Sequence, residues 1–145
     1  MFEHILIPTD GSDLSRKAVL YGVQLAKSVG ARVTALTIIE PYRLPMMEGA
    51  LAAETLEDYD AEAEQSAARA LEQVKMAADA ASVPAEVLRE RADQPYRAII
   101  DCALANRCDL IVMASHGRRG VAALLIGSET TKVLTHSTIP VLVYR

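Results

Sequence analysis

The sequence predicts a doubly wound α/β fold, a single five-stranded parallel sheet with helices on both faces. Three observations predict it. Apolar runs without polar alternation, such as Ile5-Leu6-Ile7 and Leu110-Ile111-Val112-Met113, read as strands covered on both sides. Segments of helical spacing separate these runs, so the element order is β-α-β-α-β-α-β-α-β. Finally, 51% of the 145 residues are hydrophobic, yet one is Phe and none is Trp, which leaves an aliphatic core suited to stacked layers. A chain of this length builds one well-buried domain, residues 1–145, and hardly two.

The elements follow in order. Ile5 to Pro8 forms the first strand and ends in Thr9-Asp10-Gly11-Ser12. Ser12 or Asp13 caps a helix whose inner face reads Ala18, Tyr21, Gly22, Leu25 and Ala26, and Gly30 ends it. The second strand spans Arg32 to Glu40; strand, helix and strand with short links make a right-handed crossover. Pro41 to Ala53 carries two prolines, a glycine and the pair Met46-Met47, and reads as a long loop. Such a loop is either a lid near the strand ends or a packing and partner surface. Glu54 to Ser82 is an Ala-rich helix with Ala61, Ala68, Leu71, Val74 and Ala78 along one face; its acidic first half reads as a solvated face that complements the helix dipole. Pro84 stops it. Ala85 to Glu90 is a less apolar strand, hence an edge, and Pro95 to Ala105 is a helix with Ile99, Ile100 and Ala103 inward. The fourth strand is Leu110 to Met113, the last helix is Glu129 to His136 with Ser128 as N-cap and Val133 and Leu134 inward, and the fifth strand is Val141 to Tyr144.

Composition excludes several classes of function. The net charge of −4, from 15 basic and 19 acidic residues, includes no basic tail or run, so no nucleic-acid footprint is visible. Cys102 and Cys108 have no further ligands at zinc-like spacing and read as buried free thiols of a reducing compartment. Met1 leads almost directly into Ile5-Leu6-Ile7, and no apolar stretch approaches the ~20 residues of a membrane span, so a soluble, cytoplasmic protein without membrane partners is expected. G-x-G-x-x-G, G-x-x-x-x-G-K-[ST] and H-x-G-H are all absent, which removes the main support for the ordinary Rossmann and P-loop readings.

One stretch nonetheless has the order that an anion site needs: buried strand, glycine-containing loop, small-residue turn, helix start. After Met113 come Ala114, Ser115, His116, Gly117, Arg118 and Arg119, then Gly127, Ser128, Glu129 and Thr130. The first amides of a helix lack partners within it and sit at the positive end of its dipole, where phosphate fits. Gly117 and Gly127 would admit phosphate oxygens close to the backbone, Ser128 and Thr130 add hydroxyl donors, and Arg118 and Arg119 neutralise charge. Equally, Gly117 could end a strand and Gly127-Ser128 merely start a helix. Asp10 has two readings as well. It either holds a ribose hydroxyl or a metal-bound water at a strand end, or closes a local Asx-turn. Should strand four lie beside strand one, Asp10 and Gly117 meet in one crevice.

The segments ILIPTDGS at 5–12, DLIVMASHG at 109–117, LLIGSETTKVL at 124–134 and the terminal PVLVYR make the chain resemble the universal stress protein family from end to end. The G-x2-G-x9-G-[ST] pattern of the nucleotide-binding members falls on Ala114, Gly117, Gly127 and Ser128. This resemblance implies a cytoplasmic, usually homodimeric ATP-binding protein with sheet order 3-2-1-4-5. It also implies that Pro8, Thr9 and Asp10 line the adenosine side, that Ile38 offers backbone groups to adenine, and that Gly117, Arg118, Gly127, Ser128 and Thr130 hold the phosphates with Mg²⁺. Ser115 and His116 share that loop; His116 either contacts phosphate or packs the loop.

Two departures from the pattern matter. Ala114 stands where the motif has glycine, at little cost if its φ is negative. Glu129 lies in the first turn of the phosphate-facing helix, where it would repel a triphosphate unless it points away or helps hold a cation; binding should therefore depend on Mg²⁺. Three functions follow as expectations: a nucleotide-dependent regulatory module of the stress response, a slow Mg-dependent ATPase using Asp10, His116 and Arg118, or a structural dimer joined through Val141 to Tyr144. A phosphorelay receiver would need an Asp after strand three and a Lys after strand five, where this chain has Glu90 and Arg145.

Overall fold

The computed structural model describes residues 1–42, 51–118, 120 and 125–145, with residues 51–55 described by backbone alone. Arg119 and the Met46-Met47 pair lie outside the described residues. Five strands, β1 (His4–Pro8), β2 (Arg32–Ile39), β3 (Ala85–Arg91), β4 (Leu110–Ala114) and β5 (Val141–Tyr144), form one sheet in the order β3-β2-β1-β4-β5, with every pairing parallel. Helices α1 (Asp13–Val29), α2 (Leu51–Ala81), α3 (Pro95–Ala105) and α4 (Ser128–His136) connect them. This is the predicted sheet, in the order that the resemblance implied.

Alternation along the central strands divides the core between two faces. Ile5 and Ile7 of β1 and Leu110 and Val112 of β4 join Val19 and Val23 of α1 and Leu71, Val74 and Ala78 of α2. Leu6, Ile111 and Met113 point the other way, to Ile99, Cys102 and Ala103 of α3 and Val133 of α4. Removing each Ile, Leu, Val or Met side chain among them from water stabilises the fold by about 1.5–3 kcal/mol before the cost of ordering it. The two crossovers that run toward β3 thus cover one face and the two that run toward β5 the other, so the chain reverses direction across the sheet between β1 and β4.

Local signals act as expected at α1. Ser12 is its N-cap and accepts from the Ser15 amide, while Gly30 closes it with φ 72°. Elsewhere the structure differs from the sequence reading. Gly127, not Ser128, is the N-cap of α4, and no side chain caps it. Tyr21 and Leu134 are exposed rather than inward; the Tyr21 ring lies against Tyr144, with centroids 5.5 Å apart. On α2 the buried stripe runs through Ala67, Ala70, Leu71, Val74 and Ala78, leaving Ala61 and Ala68 outside. That helix also begins at Leu51, inside the stretch expected to be a loop. Its acidic half is more than a solvated face, because Asp60 and Glu64 pair with Arg91, and Glu64 also with Arg89, of the edge strand β3. Cys102 and Cys108 are free and buried.

Candidate functional site

Beyond the ends of β1 and β4 two loops face each other. The β1–α1 loop is built on Thr9, a buried residue tied from three sides. Its amide donates to the Leu36 carbonyl at 2.9 Å, its carbonyl accepts from Thr37 Oγ1 at 2.8 Å, and its hydroxyl shares a hydrogen with Ser15 Oγ at 2.7 Å. The same two hydroxyls accept from the next amides, Asp10 N–H to Ser15 Oγ at 3.2 Å and Gly11 N–H to Thr9 Oγ1 at 3.2 Å. Ser15 and Thr37 were missed in the sequence, although a threonine near the end of an otherwise apolar strand is a legible sign of a buried polar partner.

Asp10 realises its local reading and its long-range one together. Oδ1 accepts from the Ser12 amide at 2.9 Å, which is the Asx-turn, and Oδ2 accepts from the Arg118 amide at 2.7 Å across the crevice. Gly117 is what allows this approach: a Cβ there would stand 2.3 Å from Asp10 Oδ2. Gly127 leaves room in the same way, since its Cβ would be 3.2 Å from the Cβ of His116 and 3.3 Å from the Ser115 carbonyl oxygen. In this structure the Asp10 carboxylate lies against Gly117, and His116 lies against Gly127.

The remaining candidates divide. Ala114 ends β4 outside the left-handed region, so its methyl carries no backbone strain. Ser115 is buried; its amide donates to the Tyr144 carbonyl and its own carbonyl accepts from Gly127 N–H at 2.7 Å. His116 packs the loop: Nδ1 lies 3.3 Å from Ser115 Oγ, and a Cβ placed on Gly120 would collide with its ring. The Thr130 hydroxyl, expected to reach phosphate, is instead buried and donates to the Ala114 carbonyl at 3.0 Å. Ser128 is exposed at the start of α4. The amides of Ser128, Glu129 and Thr130 precede the first bond within the helix, which Thr131 N–H gives to the Gly127 carbonyl at 3.0 Å. Pro8 ends β1 opposite Leu36, and Ile38 lies two residues farther along β2, beyond the last residue that β1 pairs.

Glu129 points away from the crevice. Its Oε2 accepts from the Tyr96 amide at 2.9 Å, in the first turn of α3, and its Oε1 meets Lys132 Nζ at 3.1 Å. Because the α3 N-cap, Gln94, makes no side-chain bond, this carboxylate from another helix supplies the missing acceptor. Lys132 also lies over the Tyr96 ring, 5.6 Å from its centroid. These groups, with Glu40 and Asp93, border a polar cleft of about 550 Å³ on the α3–α4 face. Arg118 likewise turns from its expected place, its guanidinium reaching the Ser66 hydroxyl on α2. Among the described residues no cluster of His, Cys, Asp and Glu has the makings of a metal site, and no helix is long and apolar enough to cross a membrane.

Known proteins share this architecture. A universal stress protein of Methanocaldococcus jannaschii is 31% identical over 151 aligned residues, which cover 100% of this chain and 83% of that one. The solved structure of universal stress protein UspA from Lactobacillus plantarum superposes with a TM-score of 0.76 at 25% identity, covering 99% of this chain and 98% of that one. Another solved universal stress protein, in complex with cAMP, gives a TM-score of 0.73 at 26% identity over 99% of this chain and 97% of that one. With residues 1–145 matching the model of the universal stress protein family, and with this sheet order and these strand-end loops, the chain belongs to that family.

Proposed function

We propose that the chain is a nucleotide-dependent regulatory module of the stress response. ATP, with Mg²⁺ on its phosphates, occupies the crevice between the ends of β1 and β4, and occupancy changes the surface that partners meet around Ser115 to Arg118. One observation carries this reading: the Asp10 carboxylate meets Gly117 across the crevice, beside a helix N-terminus that no side chain caps. Ribose hydroxyls are donors that suit the carboxylate, and phosphate oxygens are acceptors that suit the first amides of α4. The relative in complex with cAMP supports the ligand class. Glu129 is compensated by Lys132 and the α3 N-terminus, so it opposes a triphosphate less than its position suggested; the Mg²⁺ requirement then rests on the phosphates alone.

The test is calorimetric titration of nucleotide-stripped protein with ATP, with and without Mg²⁺, and with AMP for comparison. One saturable site per chain is expected, tighter with the cation. Gly117→Val should weaken binding more than tenfold while circular dichroism stays native; unchanged ATP binding by that variant would place the nucleotide elsewhere. Hydrolysis needs a positioned base or water, whereas both Asp10 oxygens hold amides and His116 is engaged with Ser115. At most slow turnover is expected, and turnover unaltered in Asp10→Asn and His116→Ala would remove these residues from it.

A second reading concerns assembly. β5 is the sheet's outer strand on that side, and its four apolar residues are only half-buried. A second copy pairing along Val141–Tyr144 would cover it and make the protein a homodimer. Sedimentation at micromolar concentration should give a dimer, and a monomer there rules this interface out.

A further inference from the structure

Arg118 sits on the α2 side of the crevice, whereas α4 packs on the opposite face of the sheet. Its amide is held by Asp10 Oδ2 at 2.7 Å, and its side chain runs past Gly11 so that Nη2 donates to Ser66 Oγ, in the middle of α2. Gly11 provides the passage. With φ +77° it has a conformation that suits glycine, and a Cβ there would stand 3.3 Å from Arg118 Nη2 and 3.3 Å from the Ala70 Cβ. The guanidinium is thus bound to a serine outside the crevice, one that none of the strand-end motifs includes.

We infer that Ser66 is a positioning residue that sets the phosphate affinity of this site. By tethering the Arg118 guanidinium to α2 it withholds a cation that the β4–α4 loop itself carries, and a nucleotide's phosphate chain must draw Arg118 off Ser66 before being neutralised by it. This inference rests on the nucleotide reading above. Two states compete, Arg118 on Ser66 and Arg118 on phosphate, and apparent affinity falls by the fraction held in the first. A hydrogen bond to a charged group is strong enough to matter but weak enough for a triphosphate to displace. Adenosine, which lacks phosphate, has nothing to offer the guanidinium and should be indifferent to the tether.

The experiment compares wild type, Ser66→Ala and Ser66→Glu, titrated calorimetrically with MgATP and with adenosine. Ser66→Ala frees Arg118 and should tighten MgATP about fivefold, leaving adenosine unchanged. Ser66→Glu pairs with Arg118 and should weaken MgATP about threefold at low salt, with the loss shrinking as salt is added. MgATP binding that is equal in all three proteins overturns the inference while leaving the nucleotide reading intact. Failure of wild type to bind either ligand overturns the nucleotide reading instead; side-chain ¹⁵N relaxation of Arg118 in the ligand-free protein then decides the tether. A guanidinium ordered in wild type and released in Ser66→Ala supports it, and one equally mobile in both rejects it.

Discussion

Two aspartates clamp β1 to β4, one at each end of the strand pair. Asp109 lies just before β4; its Oδ2 accepts from Glu3 N–H at 2.8 Å and its Oδ1 from His4 N–H at 3.1 Å, where β1 begins. Asp10 lies just after β1 and accepts from Ser12 N–H and, across the gap, from Arg118 N–H. The chemistry is the same, a carboxylate spending both oxygens on amides, yet the surroundings differ. The amides that Asp109 holds, those of Glu3 and His4, adjoin backbone that the sheet already fixes, since the Asp109 amide itself donates to the His4 carbonyl at 2.9 Å. The amides that Asp10 holds, those of Ser12 and Arg118, belong to loops flanked by Gly11 and Gly117, where on the nucleotide proposal a ligand's donors would replace them. On that proposal, an identical bond is structural at one end and exchangeable at the other.

Substitutions can break or sharpen this contrast. Asp10→Ala should lower nucleotide affinity more than tenfold and unfolding free energy by only about 1 kcal/mol, because loop amides left without it are solvated. Asp109→Ala should do the reverse: about 2 kcal/mol lost in urea denaturation, with affinity of the folded fraction within twofold of wild type. Equal losses of binding in both variants would erase the distinction. A finer effect belongs to His4, buried beside Asp109 with Nε2 2.7 Å from Thr34 Oγ1. Burial first, then the nearby Arg32, holds its pKa below the ordinary 6.5. The folded state thus favours the neutral ring, so stability is full above pH 6.5 and declines as pH falls toward the folded-state pKa. His4→Gln should flatten that acid limb in denaturation measured between pH 7 and pH 5 (about the range over which a histidine titrates). The smallest effect is expected at the exposed Arg91, whose pairs with Asp60 and Glu64 are open to solvent and salt: Arg91→Ala should leave the urea midpoint nearly where it was.

The fold was legible because the central strands are apolar on both faces, and Ile5-Leu6-Ile7 and Leu110 to Met113 could be buried in no simpler way. Helix phase was less so. In an Ala-rich helix several stripes look alike, and only packing on the sheet selects Ala67 and Ala70 over Ala61 and Ala68. Tyr21 and Leu134 sit one step around from their buried neighbours Gly22 and Val133, a difference that periodicity does not resolve. At the site, the meeting of Asp10 with Gly117 was readable from strand ends. The directions of Glu129 and Thr130 were not, since their partners are a backbone amide and a carbonyl brought near by the fold. Arg118 escaped for a similar reason, as Ser66 lies 52 residues away on another helix.

The buried cysteines have a chemical consequence. Burial pushes both thiols up, Cys108 to about 12 and Cys102 in the same direction. Attack on peroxide or on another disulfide proceeds through the thiolate, which these residues scarcely form near neutrality. Within this member of a family named for stress, the two thiols should therefore react slowly with oxidants and alkylating reagents while the fold stays closed over them, and quickly once the chain unfolds.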